Sequence, residues 1–467
     1  MSANPRGVGV GLCVDALTSV LVPRYARFAG ETVSFTDGSM HRLLPMEACI
    51  QGAPGSNGRW WWVLVTVRQQ LAPQTVRIDQ HGRPRHSGNY GHFVRRRTVL
   101  KLPLLLAAGP TLTRVPRAAA EQSRWSPDRA NRWYQAQAWP VGANYITSNA
   151  INQLEMFQAD TFDPRRIDTE LGWARLHGLN TVRVFLHDQL WAQDSRGFQM
   201  RLAQFVTIAA RHRIKPLFVF FDSCWDPFPK PGRQRAPRPG VHNSGWVQSP
   251  GAEHLDDLDY RRTLRNFVTG VLNQFRTDDR VLGWDLWNEP DNPARVYSKV
   301  ERKDKQERVA DLLFLAFGWA RSVDPCQPLM SGVWDGEWGD PQRRSTITNT
   351  QLDNSDVVTF HCYDEPAAFE ARIAELSPLG RPILCTEYLA RTLGSTVDGI
   401  LPIAKRYNVG AINWGLVAGK TQTYLPWDSW DHPYTTVPEP WFQDLAQPDG
   451  KPYRDTEIQT ISKLSRL

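Results

Sequence analysis

The stretch "RVLGWDLWNEP", residues 280–290, has the pattern on which the architecture rests. Its Val, Leu and Trp residues form an apolar run of strand length, and Pro290 ends it because proline has no N–H to donate to a sheet. Glu289 is then left at the carboxyl end of a strand. Seven other runs share this character: "VGANYI" from 141, "NTVRVFLHD" from 180, "IKPLFVFFD" from 214, "QPLMSGVWD" from 327, "DVVTFHCYD" from 356, "PILCTEYLA" from 382 and "VGAINWGLV" from 409. Between them lie segments of helical period, such as "DPRRIDTELGWARLHG", opened by Asp163 and stopped by Gly178, and "ERVADLLFLAFGWARSVDP". Eight strands alternating with helices over residues 141–440 predict an α/β fold, a (β/α)8 TIM barrel. The third loop, 222–251, is long and rich in Pro and Gly, which suits an ordered excursion over the strand ends.

The 467 residues carry a net charge of +7, but it is unevenly spread. Residues 1–120 hold about +10 and the rest about −3, so the barrel has no basic stripe and no nucleic-acid partner is expected. Within the basic front, Arg96-Arg97 precede a short apolar run from Leu102 to Leu112, and Ala118-Ala119-Ala120 offers a cleavage site. Residues 94–120 therefore resemble a twin-arginine export signal. The run is broken by Pro103, Gly109 and Pro110 and is too short to span a bilayer, so no membrane anchor is expected. A signal this far along predicts that residues 1–93 are an extension ahead of a true start at Val94; the alternative is an N-terminal domain with a buried helix at 99–108. The product would be periplasmic or extracellular. Residues 121–140 are expected to pack on the barrel and 441–467 to form a C-terminal segment on its outside.

In such barrels the polar residues that end strands carry the chemistry. Glu289 ends the fourth strand and Glu387 the seventh, 98 residues later, the spacing of three βα units. Two carboxyl groups facing one mouth are what glycoside hydrolysis needs, one to protonate the leaving oxygen and one to attack. "WNEP" with a strand-seven Glu resembles the retaining glycoside hydrolases of clan A, and the accompanying residues resemble family 5, the cellulase family. The resemblance covers about 141–430. It implies Glu289 as acid/base, Glu387 as nucleophile, Arg183 beside the nucleophile and Asn288 on a sugar hydroxyl. It also implies Tyr363 bonded to the nucleophile, His361 lining the sugar site and Trp414 as an aromatic platform. One position departs from the pattern: many members carry His at the end of strand three, where this chain has Asp222.

Flat rings bury the apolar faces of sugars, which makes Trp225, Trp246, Trp334, Trp338, Trp427 and Trp430 candidates after the strand ends. His242, Asn243 and Gln248 beside Trp246 suit a sugar subsite, and Asp222 is a further candidate contact; Asp188, Trp191, Lys420 and Gln422 are weaker ones. The expected partner is a β-linked polysaccharide or oligosaccharide, first a β-1,4-glucan and second a β-mannan, cleaved internally or from an end. No cofactor and no metal are expected, because no C-x-x-C occurs and only His187-Asp188 and His361 stand at strand ends as ligand types. Cys385 is read as sharing the barrel-facing side of Glu387 and Cys362 as facing away, which argues against a disulfide. A monomer is expected. The rivals from other classes are a non-catalytic carbohydrate-binding barrel and a metal-dependent barrel hydrolase.

Overall fold

A computed structural model describes residues 50–54, 60–64 and 124–465. The segments Ile50–Pro54 and Trp60–Leu64 pair antiparallel, Ile50 opposite Leu64, within the first of two compact units, Met1–Ala107. The pair is not visible as a period in the sequence. The export signal at 94–120 and the rest of the 1–93 extension lie outside the described residues.

The second unit is a TIM barrel. Its strands are β1 (Val141–Asn144), β2 (Thr181–Phe185), β3 (Lys215–Asp222), β4 (Gly283–Asn288), β5 (Leu329–Met330), β6 (Val358–His361), β7 (Ile383–Tyr388) and β8 (Gly410–Trp414). All pair parallel in the order β5-β4-β3-β2-β1-β8-β7-β6, and the bridge Val333–Phe360 joins the two ends. Helices fill the crossovers, among them α1 (Pro164–Leu176), α2 (Asp188–Arg211), α3 (Arg261–Phe275), α4 (Lys305–Val323) and α5 (Val397–Arg406). Asp163 caps α1, accepting from the backbone N–H groups of Arg165 and Arg166. The fifth strand is far shorter than its apolar run, because side chains take over its bonding. Ser331 N donates to Ser355 Oγ, and Ser331 Oγ donates to the Trp287 carbonyl.

Two apolar layers hold the barrel. Outward residues meet the helices; Phe218 and Phe220 both stack on Trp284, with ring centroids 5.7 Å apart in each case. Inward residues Leu217, Leu282, Met330, Leu384 and Ile412 close the floor against Tyr134, from the helix Pro127–Gln135 that precedes β1. The C-terminal helix Asp455–Ser465 lies on α5, and its Glu457 pairs with buried Arg391 at 2.7 Å. No helix among the described residues is long and apolar enough to cross a membrane.

Register corrects one expectation from the sequence. β6 and β7 pair Phe360 with Cys385 and then His361 with Glu387, so one residue of β7 bulges out of the ladder. The bulge breaks the alternation, and Cys385 joins Cys362 in the layer between strands and helices rather than facing the barrel interior. Both thiols are free.

Phe218 is fully buried between aromatic neighbours. Phe218→Ala should cost about 3–5 kcal/mol of stability, the price of a large core cavity. Urea melts read this directly; a loss under about 1 kcal/mol would mean that the layer repacks freely.

Candidate active site

Arg183 organises the mouth. It projects inward from β2 and is fully buried, so every N–H needs a partner. Nε and Nη2 donate to Asp285 Oδ2 at 3.0 and 2.7 Å, and Nη2 also donates to Asn288 Oδ1 at 2.7 Å. Nη1 donates to Asn144 Oδ1 at 3.0 Å and to Glu387 Oε1 at 2.6 Å. Burial alone would depress the guanidinium, but Asp285 and Glu387 outweigh it and hold the group above its usual range. One guanidinium thus ties together the ends of β1, β2, β4 and β7.

Glu387 and Glu289 have different partners. Glu387 takes the Arg183 bond and a second from the Tyr363 hydroxyl at 2.7 Å. Burial pushes its carboxyl up, while His361, Arg183 and Tyr363 pull it back toward the charged form. Glu289 has no cation in contact. Its Oε1 lies 2.8 Å from His361 Nδ1, and its Oε2 accepts from Asn292 Nδ2 at 2.6 Å and from the Cys224 thiol at 3.3 Å. Burial raises Glu289 as well, with only neutral donors in contact to oppose it. When the pair holds one proton, that proton belongs on Glu289, because Glu387 alone has Arg183 as counter-ion.

His361 stands between the two, with Nδ1 3.6 Å from Glu387 Oε2. Burial lowers its pKa to about 4, so the ring is neutral at ordinary pH and shares one proton with Glu289. Burial also pushes the Cys224 thiol well up, keeping it protonated and able to donate. The Glu289 backbone has φ 41°, a left-handed conformation uncommon for a residue with a side chain. Trp225, Asn243, Leu389, Gln422 and Asp444 also have positive φ in loops that follow the strands, while Arg213, Asp324 and Asn408 have it in turns that precede them.

Glu289, His361 and Glu387 each offer one ligand atom, and these atoms lie within 4.8 Å of one another, a geometry a cation could use. Each of these groups already has partners: Arg183 and Tyr363 donate to Glu387, and one hydrogen bond joins Glu289 to His361. A divalent ion would have to displace both arrangements.

Of the residues singled out from sequence, Arg183, Asn288, Glu289, His361, Tyr363 and Glu387 form this one connected group. Trp414 is half-buried at the end of β8, edge-on to Phe185 and Trp246. Asp222 is no open sugar contact. It is buried, and its oxygens accept from Trp246 Nε1 at 2.6 Å, Asn288 Nδ2 at 3.0 Å and the Cys224 N–H at 3.0 Å. His242 is likewise turned into protein, Nδ1 donating to the Leu425 carbonyl at 2.7 Å. Asn243 is buried, with neither amide atom partnered.

Trp225 stacks on Trp430 at 5.4 Å, Trp338 is core, Trp334 bonds Asp291, and Trp427 stands exposed against Tyr363. Gln248, Asp188 and Lys420 are occupied by Glu301, Tyr260 and Glu155, Trp191 packs on Phe267, and Gln422 ties two loops together. Sequence reasoning missed Asp285, Asn144, Cys224 and Asn292. Asp285 was detectable: a carboxylate in the middle of an apolar strand demands a buried cation.

No family model and no curated protein matches the chain. Among solved structures it is similar to the β-1,4-mannanase of the sea hare Aplysia kurodai, at 13% identity over 59% of this chain and 88% of that one, TM-score 0.43. It is also similar to GH5_18 from Streptomyces cattleya in complex with GlcNAc, at 12% identity over 70% and 79%, TM-score 0.48. A third is the exo-β-1,4-mannosidase of Opitutaceae bacterium strain TAV5, at 18% identity over 70% and 59%, TM-score 0.48. What the site can do is set by its own side chains.

His242 gives a pH prediction with a definite sign. Burial lowers its pKa to about 4, whereas the unfolded chain takes the proton near 6.5, so stability falls as pH drops through that window. His242→Asn should remove a loss on the order of 3 kcal/mol between those limits. Urea melts at stepped pH would show a flatter acid side; an unchanged slope would mean His242 is protonated in the folded chain.

Proposed function

We propose that this chain is a retaining glycoside hydrolase that cleaves β-glycosidic bonds by double displacement, as the resemblance to family 5 implies. The observation that carries the reading is the pair of carboxylates, with oxygens within 4.8 Å and only one of them ion-paired. Retaining enzymes keep the two groups about 5–5.5 Å apart, while inverting enzymes need about 6.5–9.5 Å to admit water between them.

In this reading Glu387 attacks the anomeric carbon as the bond to the leaving oxygen breaks, and the Glu289 proton passes to that oxygen. A covalent glycosyl ester on Glu387 results. Water then attacks the same carbon, Glu289 takes its proton, and the Glu387 carboxylate departs. Arg183 and Tyr363 favour the charged form of Glu387 at the start and end of the cycle. His361, Asn292 and Cys224 orient Glu289. The substrate class is a β-linked saccharide, with β-1,4-glucan the first to try and β-mannan the second, and export by the 94–120 signal would put the enzyme where such polymers are.

Glu387→Ala should lower turnover of an aryl β-glycoside at least about a thousandfold, since no other group can form the ester. Glu289→Ala should lose about 10²–10⁴-fold on an alkyl glycoside and much less on one with a good aryl leaving group. Full activity of Glu387→Ala would end the assignment.

The pH profile should be bell-shaped, its acid limb from ionising Glu387 and its basic limb from losing the Glu289 proton. The Asn292 amide stabilises the ionised form of Glu289, so Asn292→Ala should raise that pKa and move the basic limb to higher pH. A shift to lower pH would contradict this role.

A further inference from the structure

Asp222 ends β3 at the position where many family members carry His, and it stands directly opposite Asn288 in the ladder between β3 and β4. It is buried, and both of its oxygens are engaged. Oδ1 accepts from Asn288 Nδ2 and from the Cys224 N–H, each at 3.0 Å, and Oδ2 accepts from Trp246 Nε1 at 2.6 Å. Burial pushes this carboxyl up and the three donors pull it back toward the charged form. The long loop that leaves β3 returns to the same residue: Asp222 N donates to the Ser249 carbonyl at 2.6 Å, and Ser249 N donates to the Asp222 carbonyl at 2.9 Å. Burying a carboxylate among neutral donors lowers stability, so the arrangement calls for a use.

The neighbour that gains from it is Asn288, which lies between a group that can only donate and a group that accepts. Arg183 Nη2 gives to Asn288 Oδ1 at 2.7 Å, and Asp222 takes from Nδ2 on the other side. A flipped amide would set its NH2 group against the guanidinium and its oxygen against the carboxylate, so a single orientation is enforced. In that orientation Oδ1 is committed to Arg183 and one Nδ2 hydrogen to Asp222. The second contact of Nδ2 is Cys224 Sγ at 3.5 Å, a weak acceptor. The Cys224 thiol in turn donates to Glu289 Oε2 at 3.3 Å, which puts this second hydrogen on the side of the acid/base carboxyl.

Resting on the hydrolase reading above, in which Asn288 bonds the 2-hydroxyl of the sugar, we propose that Asp222 is a positioning residue. It fixes the Asn288 amide so that one N–H is presented to that hydroxyl and the amide oxygen is not. Trp246, laid on Oδ2 by the returning loop, holds the carboxylate in place. The hydroxyl oxygen is a better acceptor than the sulfur it displaces. Bonds to the 2-hydroxyl strengthen in the transition state, so the orientation of the amide acts on kcat more than on KM.

The test compares an aryl β-glycoside with its 2-deoxy analogue. The ratio of their kcat values reads the contribution of the 2-hydroxyl, and the analogue's own reactivity cancels when one protein is compared with another. In Asp222→Ala the ratio should fall at least about tenfold, while KM for the parent glycoside changes less than about threefold. A role confined to holding the fold would slow both substrates alike, and an unchanged ratio would overturn the proposal. Asp222→Asn combined with Trp246→Phe restores an acceptor for Asn288 and removes the indole that would oppose the new NH2 group. Its ratio should return to within about threefold of the wild type. Loss of the ratio in this double variant would overturn the proposal even if Asp222→Ala did not fold. No turnover of the parent glycoside by the wild type would overturn the hydrolase reading and this inference with it, whereas turnover with an unmoved ratio would remove the role of Asp222 alone.

Discussion

The arrangement depends on burying Arg183. A guanidinium has five N–H donors, and in the barrel interior each must find an acceptor. Asp285, Asn288, Asn144 and Glu387 supply them, so four strand ends are fixed relative to one another by a single side chain. Deleting Arg183 would leave Asp285 and Glu387 as buried, uncompensated carboxylates, which is far more costly than losing a surface ion pair. The same bonds give the two glutamates unlike surroundings. Burial raises both carboxyls, but Glu387 has the cation beside it and Glu289 has none, so a proton held by the pair favours Glu289.

Much of this was legible in the sequence. The eight apolar runs follow from strand periodicity, and Glu289 and Glu387 stand out because they end such runs three βα units apart. Asp285, in the middle of the 280–290 stretch, was passed over, although a carboxylate buried in an apolar strand calls for a cation. Other features have no local signal. The bulge that turns Cys385 outward depends on how β6 meets β7, and β5 is short because serine hydroxyls replace its ladder. Cys224 and Asn292 reach Glu289 only through loop paths that no period encodes.

The sugar-contact readings divide along the same line. Residue type alone favoured His242, Asp222 and Asn243 equally. Only the fastened loops distinguish them: His242 is spent on the Leu425 carbonyl and Asp222 on Trp246 and Asn288, while the Asn243 amide is left without a partner. The loop after β3 is fastened to the loop after β8 at Gly240, His242 and Asn243.

Double displacement requires that Glu387 become covalently bonded to sugar. Incubation with a 2-deoxy-2-fluoro β-glycoside bearing a good leaving group slows hydrolysis of the ester more than its formation, and peptide mass spectrometry then locates the adduct. One fluorosugar is expected on the peptide that contains Glu387 and none on Glu387→Ala. An adduct on another residue, or steady hydrolysis with inverted configuration and no adduct, would contradict it.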